Sequence, residues 1–173
     1  MVPRFFQRNR VLLTVGVAVL LIAGTLVMML TGGSEEAAEF SATSTGYVDG
    51  VDGNRETILL SDYRGQVVVL DLMAEWCGPC KKVASDTLKP LYEREYRDSD
   101  EVIIISVSVA GDSPGLLEDM QREYGYDWLH VTDNDDEVIT GYNAQQIPKV
   151  VVIDQQGRIT FPALGIVKHC LVY

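Results

Sequence analysis

The stretch that most constrains this chain is 67–81, VVVLDLMAEWCGPCK. Val67, Val68, Val69, Leu70, Leu72 and Met73 form a near-continuous apolar run too short for a typical helix. That is the pattern of a strand buried on both faces of a parallel sheet. Such a strand delivers Cys77 at its carboxyl end. Gly78 and Pro79 permit a tight turn into a helix, because the N–H that proline lacks would have had no partner in the first turn. Cys77 then stands where unpaired amides and the positive end of a helix dipole meet a sulfur, which favours thiolate over thiol. Cys80 follows about one helical turn later and within disulfide reach, so a mixed disulfide at Cys77 can be resolved inside the chain. The segment reads as a redox site. A half zinc site competes poorly, because the remaining candidates, Cys170, His130 and His169, form no second ligand pair of recognisable spacing. A purely structural disulfide competes less well still, since so short a loop removes little chain entropy.

The AEWCGPCK segment, preceded by an apolar strand carrying Asp71, resembles thioredoxin. The longer pattern from TILLSDYRGQVVVLDLMAEWCGPC through IPKVVVIDQQGRI, covering roughly 57–165, resembles the membrane-anchored TlpA/ResA-like branch of that superfamily. The resemblance implies that Cys77 is the nucleophile, Cys80 the resolving thiol and Asp71 a buried carboxylate exchanging a proton with Cys80. It implies a substrate-binding surface of Trp76, Gly78, Pro79, Ile147 and Pro148, with Pro148 the cis-proline facing the disulfide. It implies a thioredoxin-like α/β fold, a mixed β-sheet flanked by helices, over 53–165. No cofactor beyond the Cys77/Cys80 disulfide and no metal is expected. Relatives often place a proline five residues after the second cysteine, where this chain has Ser85. They usually place threonine after the cis-proline, where Lys149 either brings a cation near Cys77 or points to solvent.

Compartment follows from the amino terminus. The uncharged span Val11 to Leu30 covers 20 residues, about 30 Å at helical rise, and reads as a transmembrane helix. It exceeds the apolar core of a cleavable signal peptide and ends in no clear small-x-small site. Arg4, Arg8 and Arg10 precede it and should stay cytoplasmic, which places the rest outside the membrane. Arg8 and Arg10 are separated by Asn9, so they form no twin-arginine pair, and LIAGT holds no cysteine to acylate. The formal net charge is −11, and without the first ten residues 11 basic groups face 25 acidic ones, or −14. Such an excess disfavours nucleic acid and anionic lipid as partners of the domain, and it suits a high-salt medium, where self-repulsion is screened.

Residues 31–52, small, polar and acidic, read as a flexible tether with a mean reach of roughly 25 Å. Glu56 to Leu60 reads as a strand and Ser61 to Gly65 as a turn. The helix after the cysteines should run to near Leu88, with Pro90 opening a second helical piece to Tyr96. Val102 to Val109 reads as a strand. Ser113 and Pro114 supply an N-cap and a first-turn proline for a helix to about Tyr124. Asp127 to Val131 is a short apolar segment, and 133–142 a turn followed by a short helix. The acids Asp133, Asp135, Asp136 and Glu137 lack the glycine and distal glutamate of an EF-hand loop and read as a solvated helix start. Val150 to Ile153 and Arg158 to Pro162 read as a final pair of strands. The superfamily normally ends in a helix over one sheet face. After Gly165 only IVKHCLVY remains, about 12 Å at helical rise, so the usual C-terminal helix is not expected, and Cys170 and His169 read as incidental.

The function expected is thiol:disulfide exchange on extracytoplasmic proteins. The resemblance implies a reductant, because glycine and proline between the cysteines go with reducing members, and an anchored branch that often serves cytochrome c maturation. A reductant outside the membrane needs a membrane electron donor. Two other classes share the fold. A Sco-like copper-delivery chaperone would want a wider cysteine spacing and a nearby histidine. A peroxiredoxin-like peroxidase does not require Cys-x-x-C.

Overall fold

The computed structural model describes residues 35–133 and 135–164. The spans read as the cytoplasmic segment and membrane anchor, and the tail 166–173, lie outside the described residues. Among the described residues no helix is long and apolar enough to cross a membrane.

The apolar run around Leu70 forms strand β5 (Val67–Met73), in which every residue from Val68 onward is buried. It pairs in parallel with β6 (Val102–Ser108), which pairs in parallel with β7 (Leu129–Asp133). On its other side β5 pairs antiparallel with β8 (Lys149–Ile153), and β8 with β9 (Ile159–Leu164). The far edge is built by β1 (Ser41–Ser44), antiparallel to β7, and β4 (Thr57–Leu59), antiparallel to β1. The result is a seven-stranded mixed sheet in the order β4-β1-β7-β6-β5-β8-β9. A small hairpin of β2 (Tyr47–Val48) and β3 (Val51–Asp52) stands apart from it. The mixed sheet flanked by helices is the architecture expected.

Strand alternation divides β5 between two cores. Val68, Leu70 and Leu72 join Ile105, Val107, Val131 and the short helix α4 (Glu137–Gly141) on one face. Val69 and Met73 join Cys77, Cys80, Ile104, Trp128 and helix α3 (Pro114–Tyr124) on the other. Asp71, between Val69 and Met73, therefore belongs to the face that carries both cysteines. Ser113 caps α3 as expected, its Oγ accepting from the Leu116 N–H at 3.3 Å. Gly125 ends the helix at φ 65°, a left-handed turn that glycine makes without steric cost.

Three local readings are corrected. The tether does not extend to residue 52: Phe40 is buried, β1 lies inside the sheet, and the domain begins before residue 53. Its inward positions are small, Ala42 and Ser44, so β1 packs without the bulky alternation that marks a strand. Pro90 does not open a new helix. Helical structure runs on through α1 (Gly78–Val83), a π-helical turn Ala84–Leu88, α2 (Lys89–Leu91) and a second π-helical turn Tyr92–Tyr96. The wide turns flank the place where proline cannot donate to the carbonyl four residues back. The acidic start of α4 is not merely solvated either. Asp133 is buried and accepts from the Val138 and Ile139 N–H groups, both at 3.1 Å, which satisfies donors that the helix itself cannot.

Candidate active site

Strand β5 ends at Met73, and a turn closed by the Cys77 N–H on the Ala74 carbonyl, 3.1 Å, sets Cys77 at the start of α1. Cys77 keeps extended backbone, φ −79° and ψ 95°, as an N-cap residue does. Its Sγ accepts from the Cys80 N–H at 3.2 Å, so a backbone donor at the positive helix end points at this sulfur. Cys77 and Cys80 are joined by a disulfide, with Cα atoms 5.2 Å apart. Cys80 lies deeper, 1% exposed against 4% for Cys77. Around them Trp76 is 69% exposed, and Gly78 and Pro79 are also on the surface.

The Ile147–Pro148 peptide is cis. Leu72 pairs with Lys149 across β5 and β8, so Pro148 comes beside the end of β5 that leads to Cys77. Pro148 is buried, and Ile147, half-buried, packs against both cores. The Lys149 ammonium is held by backbone: it donates to the carbonyls of Tyr142 and Asn143. The helix after Cys77 carries two cations: Lys81, 2.8 Å from Glu75, whose hydrogen bond and charge hold the lysine pKa above its usual value, and Lys82, paired with Asp86 at 2.6 Å.

Asp112, which sequence reasoning passed over, ties this loop down. Its Oδ2 accepts from the Glu75 N–H and from Ser108 Oγ, each at 2.7 Å, and its carbonyl accepts from Thr132 Oγ1 at 2.5 Å. The redox loop is thus fixed to β6 and β7.

Asp71 is 1% exposed. Its Oδ2 accepts from Ser106 Oγ at 2.9 Å, and Ser106 Oγ in turn accepts from the Trp128 indole N–H at 2.9 Å. Asp71 Oδ1 is buried with no hydrogen-bond partner among the described residues. Burial pushes the Asp71 pKa up to about 7, against a smaller lowering by Ser106. Beyond Trp128 lies His130, fully buried, with Nδ1 3.0 Å from the Trp128 carbonyl and its ring stacked on Tyr126. Burial lowers the His130 pKa to about 4, so this histidine is neutral at ordinary pH. The Tyr126 hydroxyl donates to the Lys81 carbonyl at 3.0 Å and meets Ser85 Oγ at 2.7 Å, in the first π-helical turn. The arrangement sets a nearly buried disulfide, flanked by exposed residues, on the same sheet face as a buried acid whose pKa burial raises to about 7. Ser106 and Ser108 share a face by the alternation SVSV, a signal legible in sequence. The distant Trp128 and His130 gave none.

Comparison with known proteins bears on this geometry. The profile of the AhpC/TSA family matches residues 34–161. The thiol-disulfide oxidoreductase ResA of Bacillus subtilis is 26% identical over 172 residues, 96% of this chain and 92% of that protein. The protein of the same name from Geobacillus kaustophilus is 31% identical over 102 residues, 58% of this chain and 55% of the relative. The thioredoxin domain of a Bacteroides vulgatus thiol-disulfide oxidoreductase superposes with a TM-score of 0.61 at 21% identity, over 76% of this chain and 88% of that one. StoA from Bacillus subtilis gives 0.56 at 22% identity, over 75% and 90%. At these identities the superpositions speak for the fold alone.

Proposed function

We propose, since this chain belongs to the AhpC/TSA family, that it is a thiol:disulfide oxidoreductase working as a membrane-anchored reductant of protein disulfides outside the cytoplasm. The observation that carries the reading is the Cys77–Cys80 disulfide, capped by its own helix amide on the cysteine-bearing face of the sheet that also holds Asp71. The relatives named thiol-disulfide oxidoreductases support the activity. Cys77 is the attacking thiolate, stabilised by the helix end; Cys80 resolves; Asp71 takes the Cys80 proton. In the reducing direction, Cys77 Sγ attacks a substrate disulfide and expels one substrate thiolate. The Cys80 sulfur then attacks Cys77 Sγ as its proton passes to Asp71, which closes the protein disulfide and releases the second thiolate. A membrane electron donor returns two electrons and two protons.

Trp76, Gly78, Pro79, Ile147 and Pro148 form the surface on which an extended substrate segment lies. Proline has no N–H to offer, so pairing there falls to the backbone beside it. Precursors of cytochrome c are the substrates the resemblance favours. The copper reading loses support from His130, which is buried among Tyr126 and Trp128 with Nδ1 engaged.

Three assays on the purified reduced protein separate the readings. Catalytic reduction of a protein disulfide, with little turnover of peroxide and no tight copper binding, is the expected result. Rapid peroxide turnover without disulfide exchange would move the function to peroxidase, and tight copper binding to metal delivery. The anchor is tested by alkaline-carbonate extraction of membranes. Full-length protein should stay in the pellet, and its release to the soluble fraction rejects the anchor.

A further inference from the structure

Ser106 and Trp128 determine which oxygen of Asp71 can carry a proton. An indole N–H only donates, so Ser106 Oγ must accept from Trp128, and its single proton goes to Asp71 Oδ2. If the carboxyl is protonated on Oδ1, Oδ2 remains a carbonyl that accepts from Ser106, and the acid O–H is the one group left unpaired. Protonation on Oδ2 is worse. The Ser106 proton then has no acceptor among the described residues, and Oδ1, already without a donor, becomes a second unpaired group.

The geometry points to Oδ1 of Asp71 as the atom that takes the proton from Cys80, with Ser106 and Trp128 as the positioning pair that keeps the proton off Oδ2. This rests on the assignment of Asp71 as proton acceptor made above. In the resolving step the Cys80 S–H bond breaks and its proton passes to Oδ1. The Cys80 sulfur forms its bond to Cys77, the bond from Cys77 to the substrate sulfur breaks, and the substrate leaves as thiolate. The acid O–H that results is the unpaired group, ready to return its proton when the disulfide is next reduced.

The other groups around Asp71 do not compete for this proton at neutral pH. Cys77 and Cys80 come from α1, and they are the reacting groups. Tyr126, before β7, has its phenol pKa raised by burial. His130 on β7, in register with Ser106, stays neutral. On β8 the residue beside Asp71 is Val150. The charged amines of Lys81 and Lys149 are engaged by Glu75 and by backbone carbonyls.

The test follows Asp71 by carboxyl-carbon NMR in the reduced protein, together with the pH profile of the resolving step. Ser106→Ala removes the hydrogen bond to the ionised form, so the Asp71 pKa and the profile should both move about one unit upward, a tenfold change in the ionisation constant. Ser106→Thr, which keeps the hydroxyl, should restore both. Trp128→Phe removes the donor that polarises the Ser106 hydroxyl and so weakens its hydrogen bond to ionised Asp71, and it should shift both in the same direction by less. In the infrared, the carbonyl stretch of protonated Asp71 should rise in Ser106→Ala, because Oδ2 has lost its donor. If Ser106→Ala folds and leaves the pKa, the profile and the stretch in place while Asp71→Asn alters the profile, the positioning role is overturned and the acid's role stands. A profile unchanged in Asp71→Asn overturns the underlying reading itself.

Discussion

Cys80→Ser should hold its substrate covalently, and Cys77→Ser should trap nothing. The asymmetry follows from the helix start. Cys77 Sγ receives the Cys80 N–H and is flanked by exposed Trp76, Gly78 and Pro79, whereas Cys80 lies deeper, in the first turn. With serine at 80 the attack at Cys77 proceeds, but no second thiol displaces the product. Turnover should fall by several orders of magnitude in both variants, since the cysteines act as a unit. Non-reducing gels of membranes carrying each variant, with mass identification of the adducts, read both mechanism and substrate. Cytochrome c precursors among the adducts support a maturation role, and many unrelated proteins point to general thiol repair. Adducts confined to Cys77→Ser would reverse the order of attack.

Asp71→Asn should slow exchange and flatten its pH profile, and it should also stabilise the oxidised protein at alkaline pH. The folded carboxyl titrates at about 7 against 3.8 as its ordinary value, so the folded state holds a proton that the unfolded state has released. Stability is therefore lost as pH rises from about 4 to 7, and the full deficit persists above. At 1.36 kcal/mol per unit the deficit is up to roughly 4 kcal/mol, which the asparagine relieves at pH 8 and not at pH 4. His130 has the opposite slope. Its folded pKa of about 4 lies below the ordinary 6.5, so stability is lost as pH falls through that window, by up to roughly 3 kcal/mol. In the wild type the two slopes oppose each other between pH 4 and 6.5. Asp71→Asn removes one of them and should uncover an acid destabilisation that the parent protein masks. Urea melts of the oxidised protein from pH 4 to 8 check this, and parallel curves for the two proteins would reject a buried titrating Asp71.

Much of the site was legible because its parts are local. An apolar run, two cysteines three residues apart and a glycine-proline turn specify strand, turn and helix start within 15 residues, and no distant contact can easily override them. Ile147 and Pro148 were legible only through resemblance, since nothing in their own neighbourhood reports that β8 lies against β5. Where the sequence misled, the local signal was weak. Ser41–Ser44 fills its inward positions with small residues and looked like tether, although Thr45 and Tyr47 just beyond it are held by the buried Gln121 of α3. Pro90 looked like a break, but π-helical turns carried the helix across it. Lys149 read either as a cation near Cys77 or as a solvent-pointing lysine, and the structure shows carbonyls in the turn before β8 accepting from it.

The sequence by itself determined the pair of cysteines at a helix start and the strand that holds Asp71, because each depends on spacing along one short segment. Only the tertiary structure decided what surrounds that acid. Asp71, Ser106 and His130 occupy one row across β5, β6 and β7, although the ends of that row are 59 positions apart in the chain, and Trp128 reaches the same row from beside it. A carboxyl buried beside a single hydroxyl donor titrates near neutrality, and it is strand register, which no local pattern encodes, that sets both the burial and the donor.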